Sequence, residues 1–441
     1  MRLSPPLAAC LIAMLVGASL GAVLLQPTAV SDKSAEQVII WPTQGGGFNR
    51  SGQSPFNTSD NQGQVYWRVG FSNRALIEQA SPVIGSDDTI YLSDGNSIYA
   101  LTPQGKTKWT VTNSTIDERT PGWWTLFCPR LSVSNESIIY VSFAKFNDTV
   151  LTYWLLAIGP EGKPLWLYPT VSLAQGAPAI ASDGTIVFTT SQIRDEEQQF
   201  LYALDPNGSL RWRMELSIPF SFASPAMDPH DTIYLTAQGD RLDRGVLQAV
   251  RVDGTKSWSV ELDATSSCTP VVTDDGRILV GDDAGSLYAF RAADGGLLWK
   301  VSPSPGFPIT GGMAVAQDGT AYLSTNGTVY SIDPEGAMTW STVVGPLGRS
   351  DSPAIGSDGS IFVGNCSLNP DGSLRWRMPF DACSPAIQFD GTVVCIDITH
   401  NALVAIDRAP NAQGVIVVLS TTSALAVLAL LVYGSERKRR H

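Results

Sequence analysis

Histidine and cysteine are scarce in this chain of 441 residues, and their scarcity limits its chemistry. The three histidines, His230, His400 and His441, form no cluster of the kind that binds zinc. The six cysteines include no adjacent pair. The sequence also lacks a glycine-rich phosphate loop and a serine-centred nucleophile elbow. These absences argue against zinc, nucleotide and serine-hydrolase chemistry.

Basic residues are in the minority as well. The chain carries 29 Lys and Arg against 41 Asp and Glu, which gives a formal net charge of −12. Phosphate backbones are bound by basic surfaces. The composition therefore argues against nucleic acid as a partner. Glycine and proline are abundant instead, with 40 and 28 residues, and this favours a turn-rich β protein.

Two long apolar runs without charge, Leu7–Leu25 and Val415–Tyr433, each have about the length that spans a membrane. The first is either a cleaved signal peptide or an uncleaved anchor. Basic residues follow the second, as is typical of a transmembrane helix with a cytoplasmic tail. The residues between the runs are therefore predicted on the extracytoplasmic side of the cell membrane or of another membrane of the secretory route. The predicted segments are signal peptide or anchor 1–30, lead-in 31–64, repeat domain 65–408, linker 409–414, transmembrane helix 415–433 and tail 434–441.

Glycosylation sequons support an exterior location, because Asn-x-Ser/Thr is the acceptor of N-linked glycans on secreted and surface proteins. The motif occurs more often than chance predicts, although Asn-Gly-Ser/Thr turns contribute to the count. We expect a glycoprotein. The sequons lie at Asn49, Asn57, Asn113, Asn135, Asn147, Asn207, Asn326 and Asn365.

An internal repeat organises the chain between the apolar runs. The heptapeptide GSLRWRM stands at 208–214 and again at 372–378. Its tryptophan belongs to a larger set that recurs about every 40 residues in short β-like runs, a period typical of propeller blades. We interpret these side chains as structural. They are Trp67, Trp109, Trp166, Trp212, Trp258, Trp299, Trp340 and Trp376.

Each unit predicts four antiparallel strands. A small residue and a proline precede the first strand, as in Ser224-Pro225, and Asp-Gly turns of the kind at Asp275-Gly276 connect the next. Eight such starts are present, but the last unit lacks its tryptophan strand. The run 65–69 precedes all of them. The sequence therefore predicts an all-β, eight-bladed propeller of four-stranded blades, in which this N-terminal strand completes the eighth blade and closes the ring.

Residues 65–408 resemble the quinoprotein-type propeller family of pyrroloquinoline-quinone (PQQ)-like repeats. The resemblance rests on the repeated DPDGSLRW-like end of each unit and on the lead-in Trp41–Gly52. It implies that the tryptophans dock between neighbouring blades. It also implies a choice of function, because the family contains binding proteins as well as dehydrogenases that hold PQQ and Ca²⁺ at the centre of one face.

No residue here matches the family's enzyme ligands, and the adjacent-cysteine disulfide of those enzymes is missing. We therefore expect neither PQQ nor Ca²⁺ nor any other metal, and no catalytic residue. The acidic pairs Asp274-Asp275 and Asp282-Asp283 could hold Ca²⁺, but turn chemistry explains them as well. A disulfide between Cys366 and Cys383 is feasible, because the strand order places both at one face. Cys128 and Cys268 are expected to be buried thiols.

Strand alternation places the links between blades and the loops between second and third strands on one face. The long insertions gather there, and they carry Trp123, Trp124, Arg241 and Arg244. Exposed aromatic and arginine side chains are typical of binding hot spots, although the two tryptophans could equally plug the channel. The sequence thus favours a membrane-anchored binding or scaffold module with a protein or glycan partner. The alternative is a PQQ-dependent, other redox or carbohydrate-active enzyme that uses the central pocket.

Overall fold

A computed structural model gives the structure of the chain. No helix long and apolar enough to cross a membrane occurs in the part of the chain that it describes. The two predicted membrane segments, the linker and the tail lie outside that part, as do Asn113, Trp123 and Asn147. The described residues are 41–71, 79–112, 116, 124–146, 151–191, 198–216, 223–238, 241, 243–309, 312–345 and 352–407.

The described residues form eight antiparallel sheets of four strands each, so the predicted eight-bladed propeller is confirmed. Blades 1 to 4 contain β2 (Val83–Ile84), β3 (Ile90–Ser93), β4 (Ser97–Leu101) and β5 (Thr107–Thr112); β6 (Trp124–Val133), β7 (Ile139–Phe146), β8 (Leu151–Ile158) and β9 (Pro164–Thr170); β10 (Ala179–Ile180), β11 (Ile186–Thr189), β12 (Gln199–Leu204) and β13 (Leu210–Leu216); β14 (Ala226–Met227), β15 (Thr232–Gln238), β16 (Gly245–Arg251) and β17 (Lys256–Glu261). Blades 5 to 8 contain β18 (Val271–Val272), β19 (Arg277–Gly281), β20 (Leu287–Arg291) and β21 (Leu297–Val301); β22 (Met313–Val315), β23 (Ala321–Thr325), β24 (Thr328–Ile332) and β25 (Met338–Val343); β26 (Ala354–Ile355), β27 (Ile361–Val363), β28 (Cys366–Leu368) and β29 (Leu374–Arg377); β30 (Ala382–Ile387), β31 (Val393–Asp397), β32 (Ala402–Asp407) and β1 (Gln64–Gly70).

The strand β1 closes the ring as the sequence predicts. It forms the outer edge of the eighth sheet, antiparallel to β32, with Gln64 opposite Asp407 and Gly70 opposite Ala402. The two ends of the repeat domain therefore share one blade. Closure of this kind removes an open sheet edge, which would otherwise expose unpaired backbone groups.

Packing between blades depends on the repeated tryptophan of each outer strand. Each indole Nε1 donates a hydrogen bond of 2.7 to 3.1 Å to a backbone carbonyl in the turn that precedes the outer strand of the next blade. A glycine with positive φ lies against each indole ring. At Gly254, for example, a Cβ would approach Cδ2 of Trp212 to 2.9 Å. The series is complete around the ring, since Trp376 of blade 7 meets Gly63 immediately before β1.

The disulfide considered between Cys366 and Cys383 is not formed. Cys366 is a free, buried thiol that donates to Oδ1 of Asn365 at 3.1 Å. It packs in a cluster with Tyr322 and Ile355, whereas Cys383 packs with Trp41 and other residues of a different cluster. The two cysteines lie at the same face in strand order, but their side chains point into separate layers between blades.

Candidate functional site

The lead-in segment runs along the inner edges of the blades. Innermost strands have one open edge, and their N–H groups need acceptors when they are buried. The carbonyl groups of 41–52 supply them in six blades. The bonds run from Ile84 to Trp41 (2.8 Å), Val133 to Pro42 (2.9 Å), Met227 to Phe48 (2.9 Å), Val272 to Asn49 (2.8 Å), Val315 to Ser51 (2.7 Å) and Ile355 to Gly52 (2.8 Å).

Arg50 joins the lead-in segment to the two blades that face it. Its side chain is 2% exposed, and its backbone has a φ of +61°, a conformation that costs free energy in a residue other than glycine. All of its hydrogen-bond acceptors in the described part of the chain are neutral oxygens. They are the hydroxyl of Thr43 and the carbonyls of Gln44 (3.0 Å), Ala177 (2.9 Å), Pro178 (3.4 Å) and Pro225 (3.0 and 3.2 Å).

Arg50 therefore carries a buried positive charge whose acceptors hold no formal negative charge. Burial, and then the charge of Arg130, lower the pKa of Arg50 to about 9. Within the described residues, no carboxylate forms an ion pair with it. Desolvation disfavours a charged group that has no opposite charge nearby. The guanidinium accordingly creates a positive potential next to the propeller centre at neutral pH.

A pocket of about 910 Å³ lies over this part of the lead-in segment. Gln44, Gly45 and Arg50 line it from the segment itself, and the blades supply the rest. The lining side chains from the blades come from links between blades, from starts of innermost strands and from loops between second and third strands. They include Gln79, Arg130, Ser224, Ser267, Thr269, Val271, Asp283, Phe307, Met313, Thr325, Asn326 and Ser352.

Arg130 reaches the pocket from an irregularity in β6. The register between β6 and β7 shifts between Phe127 and Leu131, so the intervening residues form a bulge. Bulges redirect side chains and are frequent beside functional sites. Beyond the bulge, Trp124–Phe127 pairs with Phe143–Phe146 and extends blade 2 at the end of the blade that carries the pocket.

Asp283 is the carboxylate among the pocket-lining residues. Its Oδ2 accepts a hydrogen bond of 2.7 Å from the hydroxyl of Thr265, and its Oδ1 accepts one of 3.3 Å from the N–H of Ser267. Its neighbour Asp282 is fully buried and accepts from Ala284 N, Ser286 N and the Tyr288 hydroxyl. The Asp282-Asp283 pair is thus committed to turn geometry. In the described chain, no group of three or more His, Cys, Asp or Glu could hold a metal ion.

Of the residues predicted as a binding surface, Arg241 and Arg244 are described with their side chains, and neither lines this pocket. Arg241 is paired with Asp243, and Arg244 is paired with Asp263 and bonds the carbonyl of Leu262. Both lie between β15 and β16, and strand order places that connection at the end of the blades that carries the pocket. Trp124 begins β6 at the same end, while the side chain of Trp124 lies outside the described atoms and Trp123 lies outside the described residues.

The sequons within the described chain differ in exposure. Asn57, Asn135, Asn207 and Asn326 are exposed, as a glycan acceptor requires, whereas Asn49 and Asn365 are half-buried. Asn49 lies in the lead-in segment and accepts from the N–H of Ser51, and Asn326 lines the pocket. Glycosylation of any of these residues remains a prediction.

Sequence reasoning did not select the charged residues of the pocket. Arg50 stands within the lead-in stretch, which was noted for its resemblance but not for any chemistry. Arg130 follows Pro129, where the start of blade 2 departs from the repeat pattern. That departure was the available signal, because an irregular strand start in a regular repeat is where a bulge can present a side chain.

The chain is similar to known proteins in sequence and in fold. A family model described as outer membrane protein assembly factor BamB matches residues 153–284 and 243–382, about half of the chain. No curated protein sequence matches the chain.

Solved structures share the fold. A europium-containing methanol dehydrogenase has a TM-score of 0.64 at 14% identity, covering 82% of this chain and 89% of that chain. BamB from Moraxella catarrhalis has a TM-score of 0.57 at 14% identity, with coverages of 78% and 97%. The quinohemoprotein alcohol dehydrogenase from Comamonas testosteroni has a TM-score of 0.63 at 15% identity, with coverages of 82% and 77%. At such identities the likeness establishes the propeller alone, and this propeller occurs in both enzymes and assembly factors.

Proposed function

The chain belongs to the family described as outer membrane protein assembly factor BamB, and from this we propose that it is a membrane-anchored, extracytoplasmic propeller that binds a protein partner. The partner contacts the face that carries the pocket. The same face holds the extension of blade 2 that begins at Trp124, and the loop with Arg241 and Arg244. Anchoring rests on the apolar runs at Leu7–Leu25 and Val415–Tyr433.

The composition of the pocket is the observation that carries the binding role. Its described side chains are amides, hydroxyls, arginines and apolar groups, with no histidine, cysteine, lysine or tyrosine among them. Nucleophilic catalysis needs a nucleophile beside a base. The one carboxylate that could act as a base, Asp283, already accepts hydrogen bonds at both oxygens. Converging polar groups without such a pair support recognition rather than turnover.

The described pocket residues do not fit PQQ and Ca²⁺, the cofactors of the dehydrogenases that the chain resembles. Calcium takes six to eight oxygen ligands, usually with several carboxylates. Among the described residues, one carboxylate lines the pocket together with two guanidinium groups, and like charges disfavour a divalent cation at that place. This supports a role that does not depend on PQQ and Ca²⁺.

Partner capture tests the proposal. The full-length chain would be cross-linked in its own membranes, solubilised in mild detergent and purified. It would then be compared with the double variant W123A/W124A by quantitative mass spectrometry. We expect a defined protein to be enriched by the wild type and reduced at least about 10-fold by the double variant, because aromatic anchors carry much of the free energy of association. The matched control is L297A/L298A, an adjacent exposed apolar pair on the outer strand β21.

The alternative predicts a different result in the same preparation. Reduction of a dye by alcohols or sugars that depends on added PQQ would contradict a pure binding role. Equal capture by the wild type and W123A/W124A would show that these tryptophans are not the contact. W123A/W124A and L297A/L298A should both melt at the wild-type temperature in that comparison.

A further inference from the structure

The described residues that line the pocket carry more positive than negative charge, in a protein of net negative charge. Among them, Arg50 and Arg130 are the guanidinium groups and Asp283 is the one carboxylate. The chain as a whole carries a formal charge of −12. Positive charge is therefore concentrated where the composition would not place it by chance, and a low-dielectric, concave site strengthens its effect on an anion.

Arg50 supplies this charge without offering a free donor. Its Nε, Nη1 and Nη2 groups already donate to the Thr43 hydroxyl and to four backbone carbonyls. A ligand in the pocket would feel the charge of Arg50 through space, while other groups make its hydrogen bonds. The side chain is held by two blades and the lead-in segment, so the charge cannot move away from the pocket.

Arg130 and several polar side chains line the pocket wall. The side chain of Arg130 is half-buried in the bulge of β6 and lines the pocket. The amides of Gln44 and Gln79 and the hydroxyl of Thr269 line the same space. A planar guanidinium with neighbouring amide donors matches the two oxygens of a carboxylate.

Part of the remaining wall is apolar, beside serine, threonine and asparagine side chains, and the space is large. Val271, Phe307, Pro308 and Met313 line it, and Phe307 is 48% exposed. A volume of about 910 Å³ exceeds what a bare inorganic anion fills. The wall would contact the carbon skeleton of a ligand while the arginine binds its charged end. This combination favours an organic anion over inorganic phosphate.

We infer that the pocket is a metal-free binding site for an organic carboxylate, which contacts Arg130 and the surrounding amides above the fixed charge of Arg50. The inference goes beyond the proposed partner binding, because it concerns the residues of the pocket and not Trp123 and Trp124. The carboxylate belongs either to a small molecule or to an acidic end of a protein chain. Both sources share the chemistry that the pocket recognises.

Isothermal titration of the full-length chain in detergent tests the site. The probes are citrate, succinate and a hexapeptide that ends in Asp-Asp with a free C-terminus; the controls are inorganic phosphate and the amidated Asn-Asn peptide. We expect saturable binding of at least one carboxylate probe, weakened by raising salt from about 20 to about 200 mM because an exposed carboxylate is screened. Arg130→Gln should weaken that binding at least about 10-fold, since a charge-assisted hydrogen bond is lost.

The matched control is Arg291→Gln. Arg291 is paired with Asp294 in a turn of blade 5, at the end opposite to the pocket, and its replacement should change the affinity less than about two-fold. Citrate binding without peptide binding assigns the site to a small molecule, and peptide binding that citrate displaces assigns it to a protein end.

Three results would overturn the inference. They are the absence of saturable binding for all three carboxylate probes, equal affinity for phosphate, and unchanged affinity in Arg130→Gln. Failure of this site is distinguishable from failure of partner capture, because the latter is measured with W123A/W124A and leaves Arg130 in place. A thermal melt of each variant verifies that Arg130→Gln remains folded.

Discussion

At the scale of residues, the contact between an outer-strand tryptophan and the glycine of the next blade repeats eight times. The indole lies flat against a position where any Cβ would collide, and the positive φ of that glycine adds a second reason for its identity. The tryptophan of the repeated GSLRWRM motif is thus one half of a contact between blades. In seven of the eight contacts the other half is the glycine of a Pro-x-Gly or Asp-Gly turn in the following repeat, and in the eighth it is Gly63.

Substitutions at two glycines distinguish the lack of space beside the indole from the positive φ of the backbone. Gly254→Ala would place a Cβ 2.9 Å from the Trp212 ring at a φ of +88°, whereas Gly276→Ala at a φ of +81° would meet nothing within 4 Å. We expect Gly276→Ala to lower the free energy of unfolding by about 1 kcal/mol from backbone strain alone. Gly254→Ala should lower it by about 3 kcal/mol, because overpacking is added. Urea unfolding measures both, and equal losses would mean that the indole contact contributes nothing.

A half-buried carboxylate between blades 8 and 1, that of Asp88, gives the fold a pH dependence. Burial raises the pKa of Asp88 to about 6, and the nearby carboxylates of Asp390 and Asp87 act in the same direction, although the N–H of Phe389 donates to it. The folded value lies above the unfolded value of 3.8. The unfolded state therefore releases its proton first as pH rises, and stability falls between about pH 4 and pH 6.

Asp88→Asn should remove this dependence and raise the free energy of unfolding at pH 7 by about 1 kcal/mol, a figure reduced for solvent screening of a partly exposed group. Asparagine tolerates the φ of +61° at this position. Asp231→Asn is the matched control, with the same φ in the equivalent turn of blade 4. Its carboxylate accepts from the N–H and the hydroxyl of Ser182, so the control should be neutral or destabilising. A gain in both variants would contradict the role of burial at Asp88.

At the scale of elements, two consecutive segments perform different tasks. The strand β1 completes the eighth sheet, whereas 41–58 lines the inner edges of the blades and forms part of the pocket wall. Because β1 pairs with β32 from Gln64 to Gly70, with one register shift between Val65 and Trp67, it carries the closure. The lead-in segment satisfies inner-edge N–H groups and positions Arg50.

Truncation distinguishes these tasks. A chain that begins at Trp41 keeps every described contact and should unfold cooperatively. A chain that begins at Gly63 keeps β1 and should still unfold cooperatively, at a lower temperature, with weakened carboxylate binding. A chain that begins at Phe71 lacks β1 and should lose the cooperative transition, because an open ring exposes a sheet edge. Differential scanning calorimetry makes the comparison, and identical melting of the chains from Trp41 and Phe71 would contradict closure by β1.

At the scale of the whole molecule, the propeller is asymmetric between its two ends. The end with the links between blades carries the pocket, the extension of blade 2 and the loop with Arg241 and Arg244. The opposite end carries short turns such as Asp275-Gly276 and Asp294-Gly295. The two proposed activities, partner contact and carboxylate binding, therefore concern the same end of one molecule through different residues.

The sequence by itself determined the architecture. The period of the tryptophans, the small residue and proline before each first strand, and the Asp-Gly turns are local signals, and local signals repeat with the blade. The run at Val65–Val69 and the missing last strand were enough to predict closure, because the one extra strand at the start of the repeats supplies the one strand that the last unit lacks. The family resemblance, confirmed by the matching model, rests on the same repeated residues.

Only the tertiary structure decided the site. Arg50 and Ala177 are 127 residues apart, and the contact between them depends on the path of a non-repeating segment across the blades. Arg130 reaches the pocket through a shift in strand register, which a sequence pattern does not specify. The side chains of Cys366 and Cys383 share a face by strand order and yet pack in different layers. A repeat fixes which residues build each blade, but the residues that meet at the common centre come from many blades, and their meeting is set by the closed ring.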